Sequence, residues 1–212
     1  MTGVGYDVAL YDIEIDNEIV PYNGGRYYLT AAKARRQGAE AGVTIQSSAG
    51  LFANGAFTFS HNIYRNYVVD SAVIFPTDPT KVGKVADYSG NDVVGIPNAL
   101  ANVEVGTEVP GYRALRVKAG VEHSGKYFAD DANRVRVPSF TIVNLTAELR
   151  DPIVVFRGLR VGGFVSVKNV TDRHYIGSAF LNPDLVGGAP SAFEPGTPRA
   201  FIVSLSLGIQ QN

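Results

Sequence analysis

LRVGGFVSVKNVTDRHYIGS, residues 159–178, and EPGTPRAFIVSLSL, residues 194–207, decide how this sequence is read. In the first run Val161, Gly163, Val165 and Val167 fall on one face and Arg160, Gly162, Ser166 and Lys168 on the other, with Phe164 the apolar exception. In the second, Phe201, Val203, Leu205 and Leu207 oppose Ile202, Ser204, Ser206 and Gly208. A period of two marks a strand between two different surroundings, because a helix would repeat near 3.6 residues. The stretch between the two runs holds Asn182-Pro183-Asp184 and Gly187-Gly188-Ala189-Pro190, and it is too long for a tight hairpin. Long strands, with a large loop at one end and short turns at the other, fit a membrane barrel.

Composition narrows the alternatives. The chain has 212 residues, a formal net charge of −1, no Cys and no Trp. A nucleic-acid partner would call for a clear basic excess, so none is expected. Without Cys there is no disulfide framework, thiolate zinc site or Cys nucleophile. No run approaches the roughly 18 apolar residues of a transmembrane helix. The opening MTGVGYDVALYD lacks the basic-then-apolar order of a signal peptide.

The same alternation recurs along the chain. Ala9, Tyr11, Ile13 and Ile15 oppose Val8, Leu10, Asp12, Glu14 and Asp16. Pro21-Tyr22-Asn23-Gly24-Gly25 has turn chemistry. Tyr27 to Ala41 contains AAKARRQGAEA, which has strong helix propensity, although Ala39, Ala41, Val43 and Ile45 alternate with Glu40, Gly42, Thr44 and Gln46. Leu51 to Tyr67 is another strand, and Val68 to Pro97 a long loop. Ala99, Ala101, Val103, Val105 and Val109 oppose Asn102, Glu104, Gly106 and Glu108. Beyond the Pro110-Gly111 turn, Leu115, Val117, Ala119 and Val121 oppose Arg116, Lys118, Gly120 and Glu122, which sets Glu and Arg/Lys opposite one another on neighbouring strands. Thr141, Val143, Leu145, Ala147 and Leu149 then oppose Asn144, Thr146, Glu148 and Arg150. The expected fold is all-β, an antiparallel transmembrane β-barrel segment of about eight strands. These strands meet the roughly 9–11 residues of a membrane-spanning strand and exceed the roughly 5–6 usual elsewhere. Tyr64, Tyr67, Tyr112, Tyr127, Phe128 and Tyr175 are expected near strand ends, as interfacial girdles.

Several segments resemble one family, the TonB-dependent outer-membrane receptors. Asn169-Val170-Thr171-Asp172-Arg173-His174-Tyr175 is similar to the N-L-x-D-x-x-Y signature near their C-terminus, and Pro195, Gly196, Pro198 and Arg199 resemble the P-G-x-P-R that opens their last strand. Gly38 and Glu40 fit the family's R-x-x-G-x-E strand, which favours strand over helix there. Pro97 fits its strand-entry prolines, and Asp131, Asn133 and Pro138 fit its D-D-x-N-x-x-x-V-P segment. The resemblance implies a receptor without bond chemistry or cofactor, in the bacterial outer membrane, with long extracellular loops and short periplasmic turns. Its partners would be lipid, a plug domain, the TonB energy-coupling complex and a ferric siderophore or similar nutrient. A whole receptor has about 22 strands around a plug. Residues 1–212 are therefore expected to be the C-terminal part of the barrel, with plug and signal peptide upstream. One departure is the ending Gly208-Ile209-Gln210-Gln211-Asn212, where the family usually ends on an aromatic residue.

Candidate ligand contacts are the aromatic residues expected in loops: Tyr64, Tyr67, Phe75, Tyr88, Phe180 and Phe193. Their faces can stack on a chelate, and packing of loop on loop is the competing role. His61, His123 and His174 are not at metal-ligand spacing. Asp130-Asp131 reads as loop residues holding a turn at Asn133 rather than as a carboxylate pair. Asn144-Leu145-Thr146 and Asn169-Val170-Thr171 match the glycosylation sequon by chance, on alternating strands. Two other architectures stay open: a closed eight-stranded barrel with a structural or adhesive role, and a soluble β-sandwich binding module.

Overall fold

The computed structural model describes residues 3–22, 27–70, 85–156, 158–183, 185–186, 189–190 and 192–209. Eight long strands run through them: Gly3–Tyr22 (β1), Tyr27–Gln46 (β2), Leu51–Asn66 (β3), Ala99–Val109 (β4), Tyr112–Ser124 (β5), Phe140–Leu149 (β6), Leu159–Lys168 (β7) and Ala200–Ile209 (β8). Each pairs antiparallel with the next in one meander. A short segment, Ile153–Phe156, prolongs β6 along the same edge of β7. Pro152 marks the break, since it has no N–H to give the ladder.

Register fixes which residues share a face. Tyr6, Val8 and Leu10 of β1 align with Val43, Ala41 and Ala39 of β2, and these with Gly55, Phe57 and Phe59 of β3. The row continues through Val103, Val121 and Val143, and β7 and β8 add Val165 opposite Val203. Leu10 and Phe201 on this face are 80% and 73% exposed, as a lipid-facing surface requires. The other face carries Thr58, Asn102, Glu104, Lys118, Glu122, Asn144 and Ser166. On β1 and β2 the outer face changes character toward the loop end, where Asp12, Glu14 and Asp16 lie opposite Gln37, Arg35 and Lys33. The apolar band ends there and the hairpin carries on beyond it.

Among the described residues β1 and β8 do not pair, so the sheet is an open, curled arc with an unpaired strand at each side. It is neither a closed eight-stranded barrel nor a two-sheet sandwich. Short turns at Ser47–Gly50, Pro110–Gly111 and Gly158 lie at one end. The long connections lie at the other and carry small hairpins: Val68–Asp70 with Val85–Asp87, Tyr127–Phe128 with Arg136–Val137, and Ile176–Ala179 with Phe193–Pro195.

Most of the buried apolar residues lie in this loop layer, with Ile142 of β6 in the wall. One cluster joins Val20, Ala34, Tyr64, Tyr67 and Val93, and a second joins Ala129, Val135 and Val137. The AAKARRQGAEA segment is strand, because both its edges are occupied, by β1 and by β3. Pro21 and Tyr22 belong to β1 rather than to the turn, and the loop expected over Val68 to Pro97 contains a hairpin. Asn169-Val170-Thr171 sits in the turn after β7, not on a strand.

The expected aromatic girdle is only partly where sequence placed it: Tyr112, at the start of β5, is 45% exposed. Tyr64 and Tyr67 are 1% exposed and belong to the first loop cluster, Tyr127 packs against the second, and Tyr175 stacks on Phe140. Among the described residues, Tyr6, Phe57, Phe59 and Phe201 are also exposed aromatics, on the outer face of the sheet.

Candidate functional site

The arrangement that organises the loop layer is built around Asp131. This residue follows β5 in the β5–β6 connection, and its side chain is buried at 4% exposure. Tyr64 Oη–H donates to Oδ1 at 3.0 Å, and Tyr67 Oη–H donates to Oδ2 at 3.0 Å. Asn182, in the β7–β8 connection, donates from Nδ2 to Oδ2 at 3.2 Å and accepts the Asp131 N–H on its Oδ1 at 3.0 Å. Asn91 Nδ2 donates to the Asp131 carbonyl at 2.7 Å. Burial pushes the Asp131 carboxyl above its ordinary range, against the opposing effect of the hydrogen bonds from Tyr64, Tyr67 and Asn182.

Its neighbours lock the same loop internally. Asp130 Oδ1 accepts the N–H groups of Arg134 and Val135 at 2.8 and 2.6 Å. Asn133, in a left-handed conformation at φ 54°, accepts the Asp92 N–H at 2.7 Å and donates to the Asp92 carbonyl at 3.0 Å. The aspartate pair is thus a loop device holding the Asn133 turn, as the sequence indicates.

A second polar node sits where β7 ends. Asn169, 1% exposed, takes a left-handed turn at φ 49°. Its Oδ1 accepts the Arg173 N–H at 2.9 Å, and its Nδ2 donates to the carbonyls of Arg173 at 2.9 Å and Thr197 at 3.1 Å. Its own N–H reaches Asn144 Oδ1 on β6 at 2.9 Å. Asp172 Oδ1 accepts the Arg199 N–H at 2.8 Å, and the Arg199 guanidinium stands 3.4 Å from the same carboxylate. That backbone hydrogen bond, and then the guanidinium, hold the Asp172 carboxyl below its ordinary range. Tyr175 accepts the Gly196 N–H on its carbonyl, and a Cβ on Gly196 would run into the Tyr175 ring. The family-signature residues at 169–175 and 195–199 therefore meet in space and set where β8 begins. Pro195 pairs with Ile176, and Pro198 lies between it and β8.

The remaining signature positions serve the wall and its rim. Gly38 is needed by close approach, since a Cβ there would collide with the Tyr11 ring and the Phe59 carbonyl. Glu40 is exposed on the inner face two residues on. The Pro97 carbonyl accepts from Ser60 Oγ at 3.4 Å, and Pro138 precedes β6. The inner wall carries cross-strand ion pairs as the alternation indicates. Lys118 Nζ bridges Glu104 at 3.4 Å and Glu148 at 3.1 Å, and Glu108 meets Arg116 at 3.8 Å and Arg150 at 2.6 Å. Glu148 and Arg150 extend the network to a third strand.

The six candidate ligand aromatics separate. Tyr64 lies on β3 and Tyr67 just beyond it, both with hydroxyls spent on Asp131 and rings buried, so neither face is open to a ligand. Tyr88 packs edge-on against Tyr67 and is half-buried, and Phe193 packs against the second cluster. Phe180 is 50% exposed. Phe75 lies outside the described residues. Sequence reasoning named Asn182 only as part of a loop and Asn144 only on a polar strand face and in a chance sequon, and it did not single out Asn91; the left-handed backbone of Asn182 is visible only in the structure.

Comparison with known proteins agrees with this architecture. A family model described as TonB dependent receptor-like, beta-barrel matches residues 2–170. The ferrioxamine receptor of Yersinia enterocolitica is 28% identical over 189 residues, which cover 87% of this chain and 23% of that protein. Among solved structures, the siderophore receptor PiuA from Acinetobacter baumannii superposes with a TM-score of 0.68 at 19% identity, over 95% of this chain and 26% of that one. The ferric yersiniabactin uptake receptor FyuA from Yersinia pestis gives 0.68 at 15% identity, over 95% and 27%. These structural likenesses speak for the fold. The chain spans about a quarter of the length of these relatives.

Proposed function

The chain belongs to the TonB-dependent receptor β-barrel family, and from that premise we propose that it is the C-terminal part of a bacterial outer-membrane receptor. The whole receptor binds a ferric siderophore or similar scarce nutrient and imports it, drawing inner-membrane energy through TonB. The observation that carries this reading is the open arc. Eight strands with an apolar outer face leave one edge each of β1 and β8 unpaired among the described residues, and in lipid every backbone N–H and C=O must find a partner. Further strands must complete the wall, in keeping with a chain that spans a quarter of its relatives. No step in this function makes or breaks a covalent bond in the ligand. Substrate contact falls to the loop layer and the plug, and among the described loop aromatics we assign stacking on a chelate to Phe180, a reading supported by its 50% exposure.

Two experiments test it. Reading the gene upstream of the Met1 codon should reveal an open frame continuing into a plug and more alternating strands; a stop codon close upstream overturns the C-terminal assignment. Expressing the full-length gene in an iron-starved strain stripped of its own siderophore receptors should restore growth on at least one ferric chelate, ferrioxamine among those tried, only when TonB is intact. Surface-exposed receptor that rescues growth on none of them overturns the transport reading.

A further inference from the structure

We propose that Asp131 and Asn182 form a releasable latch that holds residues 176–183 and 192–195, from the β7–β8 connection, as a strap over the second loop cluster. The two ends of the arc, β1 and β8, share no ladder. Yet Asn182, from the connection that leads into the last strand, donates its Nδ2 to the carbonyl of Pro21 near the end of the first. The same amide group donates to Asp131 Oδ2, and the Asn182 N–H bonds the Ala129 carbonyl. The loop layer therefore closes a span that the sheet leaves open. Among the described residues, the contacts of Asn182 at this junction are hydrogen bonds to carbonyls, to a backbone N–H and to one carboxylate, and Asn182 is half-buried. Tyr64 on Oδ1 and Tyr67 on the Oδ2 that Asn182 shares anchor the carboxylate to β3 and its adjoining loop, so the wall is the fixed part of the latch and the strap the part that lets go. Beneath the strap lies the second cluster, where Ile176, Ala179 and Phe193 of the strap pack on Ala129, Val135 and Val137. Letting go at Asn182 would lift those three residues and uncover Ala129, which is 0% exposed.

The test uses the full-length protein purified in detergent micelles, so it does not depend on transport. This chain contributes no cysteine of its own, and Ala129→Cys, in a background without other cysteines, reports opening as its rate of maleimide labelling. Asp131→Ala removes the acceptor oxygens used by Asn182 Nδ2 and by the two tyrosine hydroxyls. Asn182→Gly keeps the left-handed backbone, φ 49°, and removes only the strap's side-chain bonds. Each should raise the labelling rate by about tenfold or more, the factor expected when one or two net hydrogen bonds are lost, while the barrel still migrates in its compact form on unheated gels. Unchanged labelling in both folded variants overturns the latch. So does failure of both to reach the compact form, because the node would then be part of the folding core and not releasable. If transport fails in the growth assay but labelling accelerates here, the functional reading falls and the latch stands.

Discussion

Asn169→Ala offers the sharpest test of how the signature at 169–175 works. The substitution removes three hydrogen bonds from a side chain that is 1% exposed, leaving the Arg173 N–H and the Arg173 and Thr197 carbonyls without it. At about 1 kcal/mol net each, that is about 3 kcal/mol. Ala must also hold the left-handed backbone at φ 49°, which costs about 1 kcal/mol more for a residue with a Cβ and no local hydrogen bond. Asn169→Gly loses the same hydrogen bonds and escapes the second cost. The expected order of stability is Asn, then Gly, then Ala, separated by about 3 and about 1 kcal/mol. The assay is the temperature at which purified full-length barrel in micelles loses its compact gel migration, measured in parallel for all three proteins. Asp172→Asn would be a milder control, since it keeps an acceptor for the Arg199 N–H and loses only the charge. If Ala equals or exceeds Gly, the left-handed turn is not what selects Asn here. If neither variant differs from the parent, the hydrogen bonds to Arg173 and Thr197 carry no net stability and the account of how β8 is placed is wrong.

Three further outcomes are expected. Gly38→Ala should destabilise the barrel more than Gly3→Ala does, because a Cβ at 38 meets the Tyr11 ring and the Phe59 carbonyl while Gly3 has open space; equal melting of the two would refute the close-packing reading. Lys118→Met should leave Glu104 and Glu148 facing each other without their shared cation, costing about 1–3 kcal/mol at this half-buried site, and adding Glu104→Gln should recover part of the loss; a double variant no better than the single shows that the two carboxylates do not interact through Lys118. The Asp172–Arg199 contact depends on pH with a definite sign. Because the folded carboxyl titrates below its ordinary value of 3.8, its contribution is complete above that value and disappears as pH falls through the lowered one, so the melting gap between parent and Asp172→Asn should be open at neutral pH and close in acid, and a gap that widens on acidification would contradict it.

Much of the wall was legible in the sequence because its two faces meet different surroundings. Val103, Val121 and Val143 share a face with no charge, and Glu104 and Lys118 share the other, so alternation alone predicts both the strand and the side of each residue. Even Tyr64 was assignable in principle. It shares parity with Ser60 and Asn62, residues of the inner face that are buried in this structure, and extending the count by two places it inward rather than in a girdle. What alternation does not reveal is which loop residue meets which. Asn182 and Pro21 are 161 positions apart in the chain and are brought together only because seven hairpin connections curl the sheet.

The distribution of signature residues follows from the same physics. An outer face in lipid has to be apolar and an inner face polar, and many sequences satisfy both. Positions there are interchangeable, which is why the Val, Ala, Leu and Phe of the outer row carry no motif. Loop backbone is different, since it lacks a ladder and each buried N–H or C=O needs an individual partner. Asn169 satisfies three such groups, Asp130 two, and Asn133 two at Asp92 alone. A substitution at any of them leaves specific backbone groups without their side-chain partner. The segments Asp130–Asn133, Asn169–Tyr175 and Pro195–Arg199, which resemble the family, hold the long connections to the wall, whereas Gly38, a signature residue of the wall itself, answers to close packing against the Tyr11 ring and the Phe59 carbonyl.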